Sequence, residues 1–407
     1  MIVAAAVIVR AVMLVPVRAA SHTGADQQSF QAVLSAFEKA NPGTTVTFSS
    51  AGTAAGTKLS AAVKAGTPPD VAVLSLPRDL GLLQSLVTAK TVAPIGFVAS
   101  TLDRNYAYTW KRVGTVQGGL YALPFKVDDE SAFWYDPAVF KRVGVQPPQT
   151  WSDLGRLAHS LNSAGIKPFA IAGGDGQSLA AIFANVYLTQ QGPVRYDALA
   201  AHKIAWTDPS VKAALREMTS IVRAQFLSRT TANMIGSGFA AAVMQLFRTP
   251  PKAAMVFGGS AVIPVLGTKA SVAARPASQF DTFAFPRIAK APARVVGGTD
   301  VVVMLNDSPA ARSLVGYLAT PAAATVWAKR GSFLSPNAKV AVASYPLAGS
   351  RTMATQVTET SIFRLDLAGL EPAAFRAKLA GLLQAYVRSP GRIDAITKAI
   401  EAAASSA

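Results

Sequence analysis

Three histidines (His22, His159 and His202) are the chain's whole stock of imidazole, and among its 407 residues there is no cysteine. No two histidines lie at a metal-ligand spacing such as H-x-x-x-H. Without cysteine these 407 residues offer no thiol nucleophile, no Cys-ligated zinc and no disulfide, and a lipid anchor on cysteine is not expected. No metal and no cofactor are expected. Gly52-Thr53-Ala54-Ala55-Gly56-Thr57-Lys58 resembles a phosphate loop only superficially, because the P-loop needs its second glycine five residues after the first, just before the lysine, and Thr57 occupies that place. Gly236-x-Gly238-x-x-Ala241 has no strand before it and fails as a dinucleotide fingerprint. No G-x-S-x-G elbow occurs. Carboxylates remain. Asp128-Asp129-Glu130 is an acidic triplet whose side chains diverge along an extended backbone, which disfavours shared metal ligation. Asp300 follows Gly297-Gly298-Thr299, glycines that let a ligand approach the backbone; a turn aspartate capping a strand is the competing reading. Paired carboxylates for glycoside hydrolysis meet only in three dimensions and stay open.

Charge narrows the partners. Lys plus Arg number 39 against 22 acids, a net charge of +17, yet the basic residues are dispersed and no run of five occurs. A nucleic-acid binder concentrates them with interleaved aromatics, so no nucleic-acid role is expected. Ala242–Thr299 is the most lopsided stretch, with Arg248, Lys252, Lys269, Arg275, Arg287, Lys290 and Arg294 against Asp281. A solvated basic face is the plain reading; an anionic membrane surface or an anionic ligand is the other. The hydrophobic fraction of 51% supplies ample core for two or three domains or one bilobal unit.

The elements alternate. Phe30, Val33, Leu34 and Phe37 make one apolar helix face within 27–40, stopped by Asn41-Pro42-Gly43. Strands are predicted at 45–49, 70–74, 131–135, 167–172, 253–257 and 301–305. Helices are predicted at 57–65, 79–88, from Thr150 to Gly165, from Asp208-Pro209, and at 309–319, 321–329, 372–387 and 392–403. Strands alternating with helices of these lengths argue for an α/β fold with a largely parallel sheet.

Several segments recur in a recognisable order: Gly66-Thr67-Pro68-Pro69-Asp70-Val71; Tyr121-Ala122-Leu123-Pro124 with Phe133-Trp134-Tyr135-Asp136-Pro137; Pro148-x-Thr150-Trp151; Trp206-Thr207-Asp208-Pro209; Thr249-Pro250-Pro251-Lys252; and Gly297-Gly298-Thr299-Asp300 followed by Gly331-Ser332-Phe333-x-Ser335-Pro336-Asn337. Over about residues 26–337 this set resembles solute-binding protein family 1, the extracytoplasmic substrate-binding proteins of carbohydrate ABC transporters, and within it the α-glucoside-type binders. The resemblance implies a periplasmic-binding-protein-like fold of two α/β lobes with a hinge and a ligand cleft. It puts residues 11–126 plus 298–345 in one lobe and 127–297 plus 346–407 in the other.

It also implies the site. A pyranose offers vicinal hydroxyls to carboxylates and apolar C–H faces to aromatic rings. Asp300 ranks first, with Thr299 beside it. Asp128 and Asp129 fall at the lobe crossing, Tyr135 matches a cleft aromatic, and Trp134 lies on the opposite strand face. Phe257 and Ser260 belong to a cleft loop, and Gly52, Thr53 and Ser75 to loops of the first lobe. His22-Thr23-Gly24 is a candidate for the first loop. Leu74-Ser75-Leu76-Pro77 lacks the aromatic or amide often found there. The expected protein is a monomeric, non-enzymatic binder, periplasmic or at the cell surface, that delivers a carbohydrate to ABC permease subunits. The alternatives are a binder of an anionic solute, such as a sugar phosphate or glycerophosphodiester, and an extracytoplasmic glycoside hydrolase. Met1–Ala20 reads either as an apolar leader or as holding the first strand, at 11–17.

Overall fold

The computed structural model describes residues 9–15, 23–267, 275–288 and 292–406, with the side chains of 9–15, 23–25, Thr53 and Ala224 left out. Its strands, in chain order, are β1 (Val9–Val15), β2 (Thr44–Ser50), β3 (Val71–Leu76), β4 (Thr115–Val116), β5 (Gly119–Leu120) and β6 (Ala122–Asp129). They continue as β7 (Ala132–Tyr135), β8 (Phe169–Ala170), β9 (Met255–Phe257), β10 (Asp281–Ala284), β11 (Val295–Met304) and β12 (Phe363–Leu365). The described residues group into two α/β units. The first draws on Met1–Val127, Gly298–Pro346 and Val357–Ser361, the second on Asp128–Gly297, Leu347–Gln356 and Ile362–Ala407. Val357–Ser361 departs from the boundaries read from the sequence. The reason is local: Trp110, fully buried in the first unit, donates its Nε1–H to the Val357 carbonyl at 3.2 Å.

In the first unit the sheet runs β2-β1-β3-β11, and β6 also pairs with β11. β1 is parallel to β2 and to β3, whereas β11 runs antiparallel to β3. The strand sought at 11–17 forms at Val9–Val15; residues 16–22, His22 among them, lie outside the described residues. Every residue of β3 is buried, as a central strand covered on both faces requires. The helices α1 (Thr23–Ala40), α2 (Ala55–Lys64) and α3 (Leu80–Thr88) flank these strands in sequence. Thr23 and Gly24, expected in a loop, open α1 instead. The apolar face of α1 is buried as its spacing predicts, with the Phe30 ring 5.7 Å from Phe48 and 5.6 Å from Trp327.

In the second unit the sheet order is β10-β7-β9-β8, and β12 runs parallel to the first residues of β11. Phe133 on β7 is the hub of the core, its ring within about 6 Å of Phe169, Phe257, Phe283 and Phe285. Two helix starts follow their capping residues. Asp136 accepts from the Ala138 and Val139 N–H groups ahead of Pro137, and Thr150 forms a reciprocal capping box with Asp153. The strand expected over 167–172 contracts to β8, while the one expected over 301–305 grows to the ten residues of β11. Helix Gln177–Ala200, bent at Gly192-Pro193, has no counterpart in the sequence reading.

Candidate functional site

In an open sheet with parallel strands, ligands meet the carboxyl ends of the strands. In the first unit that end of β3 is Ser75-Leu76, and β11 lays Asp300 directly across from Ser75. Asp300 therefore stands inside a strand, not in a turn before one, which removes the strand-capping reading. The residue is 5% exposed, and the Ser75 hydroxyl donates to Oδ1 at 2.5 Å. Among the described residues no other hydrogen bond reaches the carboxylate. Thr299 is fully buried and its hydroxyl donates to the Lys126 carbonyl at 2.8 Å, so it holds backbone. Gly52 opens a short 3-10 turn, Gly52–Ala54, after β2; the Thr53 side chain lies outside the described residues.

Two features of this unit escaped the sequence reading. Lys126 is buried and pairs with Asp26 on α1 at 2.9 Å while its ammonium lies 5.4 Å from the centre of the Trp327 ring. Asp79 accepts from the Ser75 backbone N–H at 2.9 Å and is itself paired with Arg78 at 3.1 Å. No motif marks either pair, since the partners of the first are 100 residues apart and Asp79 reads as an ordinary first residue of the helix predicted at 79–88.

The second unit assembles Asp129, Ser260 and Trp134 around one loop. Asp129 is fully buried; its Oδ1 accepts from the Ser131 N–H at 2.6 Å, and Oδ2 has no hydrogen-bond partner among the described residues. Burial pushes this carboxyl up to about 7, the Ser131 bond pulls it down, and the neighbouring Asp128 charge adds to the rise. The Ser260 hydroxyl approaches the Asp129 carbonyl at 3.4 Å, and Trp134 donates to the Gly259 carbonyl at 2.8 Å. Asp128 is half-buried at the end of β6. The two rings expected to cover a sugar are spent on packing. Tyr135 is 9% exposed with its ring 4.5 Å from Phe140, and Phe257 is 2% exposed against Phe133. Alternation along β7 is the cause: Phe133 and Tyr135 share the core face, and Trp134, also buried, takes the other.

A profile of the bacterial extracellular solute-binding proteins matches residues 20–325, about three quarters of the chain. The chain belongs to that family. Among curated relatives, the alpha-glucosides-binding periplasmic protein AglE of Rhizobium meliloti is 29% identical over 77% of this chain and 70% of its own length. The osmoprotective compounds-binding protein GgtB of Synechocystis is 25% identical over 86% of this chain and 83% of its own. Among solved structures, the apo form of RafE from Streptococcus pneumoniae superposes with a TM-score of 0.78 at 19% identity, covering 99% of this chain and 98% of its own. The solute receptor AcbH gives 0.74 at 18% identity, with 98% of each chain covered. At those identities the likeness is one of fold. This solute-binding protein thus has the two-lobed α/β architecture of its family, and its role lies outside the cytoplasm.

Proposed function

We propose that this protein captures a carbohydrate and delivers it to the permease of an ABC transporter, holding the sugar without altering it. The observation that carries the reading is the Asp300 carboxylate at the carboxyl end of β3. Its Oδ1 is engaged by Ser75, and Oδ2 is left to another donor. A carboxylate so held accepts sugar hydroxyls in charge-assisted bonds, each worth about 1.5–3 kcal/mol. Relatives named for binding alpha-glucosides and for binding multiple sugars support the same substrate class. Asp300 is the principal ligand group in this reading, and Asp129, Asp128 and Ser260 are the candidates of the second unit.

A thermal-shift panel of mono-, di- and trisaccharides together with sugar phosphates tests it. Ligand at 100 times its dissociation constant adds about 2.7 kcal/mol of stability. Neutral saccharides should raise the melting temperature. A shift with phosphorylated compounds alone would replace the reading with capture of an anionic solute, which the net charge of +17 favours. New reducing ends accumulating from an oligosaccharide would replace it with hydrolysis.

A further inference from the structure

We propose that Asp79 is a positioning residue for the ligand carboxylate of Asp300, acting through Ser75. The turn from β3 to α3 is closed by two reciprocal bonds. The Ser75 N–H donates to Asp79 Oδ2 at 2.9 Å, and the Asp79 N–H donates back to the Ser75 carbonyl at 2.9 Å. With its backbone fixed at both polar groups, Ser75 aims its hydroxyl across the β3–β11 ladder onto Asp300 Oδ1. The Asp79 carboxylate is in turn confined. Arg78 holds it from the solvent side, and α2 packs so tightly against it that a Cβ at Gly56 would lie 2.6 Å from Asp79 Oδ1. Gly56 thus keeps the space the carboxylate occupies, which accounts for a glycine in the first turn of a helix, where it otherwise costs stability. A negative charge at that turn also complements the helix dipole, and α2 has no acidic residue of its own there.

The inference rests on the carbohydrate-binding reading, and the experiment separates the two. Affinity for a saccharide that shifts the wild-type melting temperature is measured on the full chain, with ligand-free melting recorded for each variant. Asp79→Ala and Ser75→Ala should each weaken binding about tenfold, in the range expected for coupled neighbours. The double variant should bind no worse than either single one, because both interrupt the same chain of contacts. Asp79→Asn keeps an oxygen to accept from the Ser75 N–H and should restore affinity to within about threefold of wild type. Gly56→Ala should weaken binding in the wild-type background and cost nothing further in Asp79→Ala, where the space has been vacated. Additive losses in the double variant, Asn no better than Ala, or wild-type affinity in Asp79→Ala would each overturn the positioning role while leaving sugar capture standing. A wild-type protein that no saccharide stabilises overturns both.

Discussion

Ser75 and Asp300 are register partners across the antiparallel β3–β11 ladder, joined side chain to side chain at 2.5 Å between residues 225 positions apart. A carboxylate on a nearly buried strand needs partners to offset its desolvation, and the serine hydroxyl supplies one. A bound sugar hydroxyl would supply the next. Asp300→Ala is therefore expected to weaken sugar binding by about 1.5–3 kcal/mol. The ligand-free protein should lose only about 1 kcal/mol, for the stranded Ser75 hydroxyl. Calorimetric titration and ligand-free melting check the two numbers. A variant that binds normally but melts far lower would assign Asp300 to structure alone.

Asp129 gives the second unit a pH dependence with a definite sign. Its carboxyl is raised from 3.8 to about 7 in the folded protein, chiefly by burial. The folded state therefore holds this proton more tightly than the unfolded chain does. The associated stability is complete below about pH 4 and is lost as pH rises towards the folded value. Between about pH 5 and 7 the loss approaches 2–3 kcal/mol, at about 1.4 kcal/mol per unit. Glu371, also raised by burial to about 7, adds in the same direction; the lowered Asp208 and Asp394 titrate below this window and leave its slope unchanged. The clean observable is the difference between wild type and Asp129→Asn. The variant should be the more stable protein at pH 8, with a flatter dependence of melting temperature on pH between 5 and 8. Parallel pH curves for the two proteins would refute the assignment.

The sequence disclosed most where a single element carries its own explanation. The α1 apolar face at Phe30, Val33, Leu34 and Phe37, the Asp208-Pro209 start and the Thr150 cap all depend on contacts within a few residues. Gly297-Gly298 reads in sequence as room for a ligand to approach the backbone, with a turn as the competing reading. The structure threads it through β11, where a Cβ at Gly297 would lie 1.9 Å from the Asp128 carbonyl. Close backbone approach, not a reversal of direction, is what this glycine provides. Asp79 and the Asp26–Lys126 pair stayed hidden for a different reason. Each takes its meaning from a partner that only the tertiary structure brings near. The aromatics fared likewise, since motif order identified Tyr135 and Phe257 but could not tell which face of each strand the core would claim.

Gly259 tests the loop that abuts Asp129. Its φ of +49° lies in the left-handed region, and a Cβ there would fall 1.8 Å from the Asp129 carbonyl oxygen. No rotamer relieves that overlap, because both atoms belong to backbone-fixed positions. Gly259→Ala should destabilise the protein by at least about 2 kcal/mol, combining positive-φ strain with displacement of the loop. It should also release the bond from Trp134 Nε1 to the Gly259 carbonyl. Denaturant melts report the first effect and tryptophan fluorescence the second. A variant as stable as wild type would mean that the 258–261 loop can move off Asp129 at little cost.

The N-terminal strand makes the sharpest prediction, because two readings of the same residues compete there. β1 is paired along Val9–Val15 with all seven residues of β2, and its Met13 and Leu14 pair with Val71 and Ala72 of β3. It is thus an interior member of the sheet, between β2 and the strand that carries Ser75. Removing it would leave β2 without its parallel neighbour and expose one hydrogen-bonding edge of β3, a strand buried along its whole length. Unpaired edges of that kind favour aggregation. Deleting Met1–Ala20 should therefore yield a chain that is insoluble, or soluble but unable to bind sugar, in a comparison of expression and thermal shift with the full sequence. A leader peptide predicts the reverse. A mature protein that begins at Ala20 or Ser21, folds and binds sugar would mean that β1 is dispensable and that the apolar start serves export.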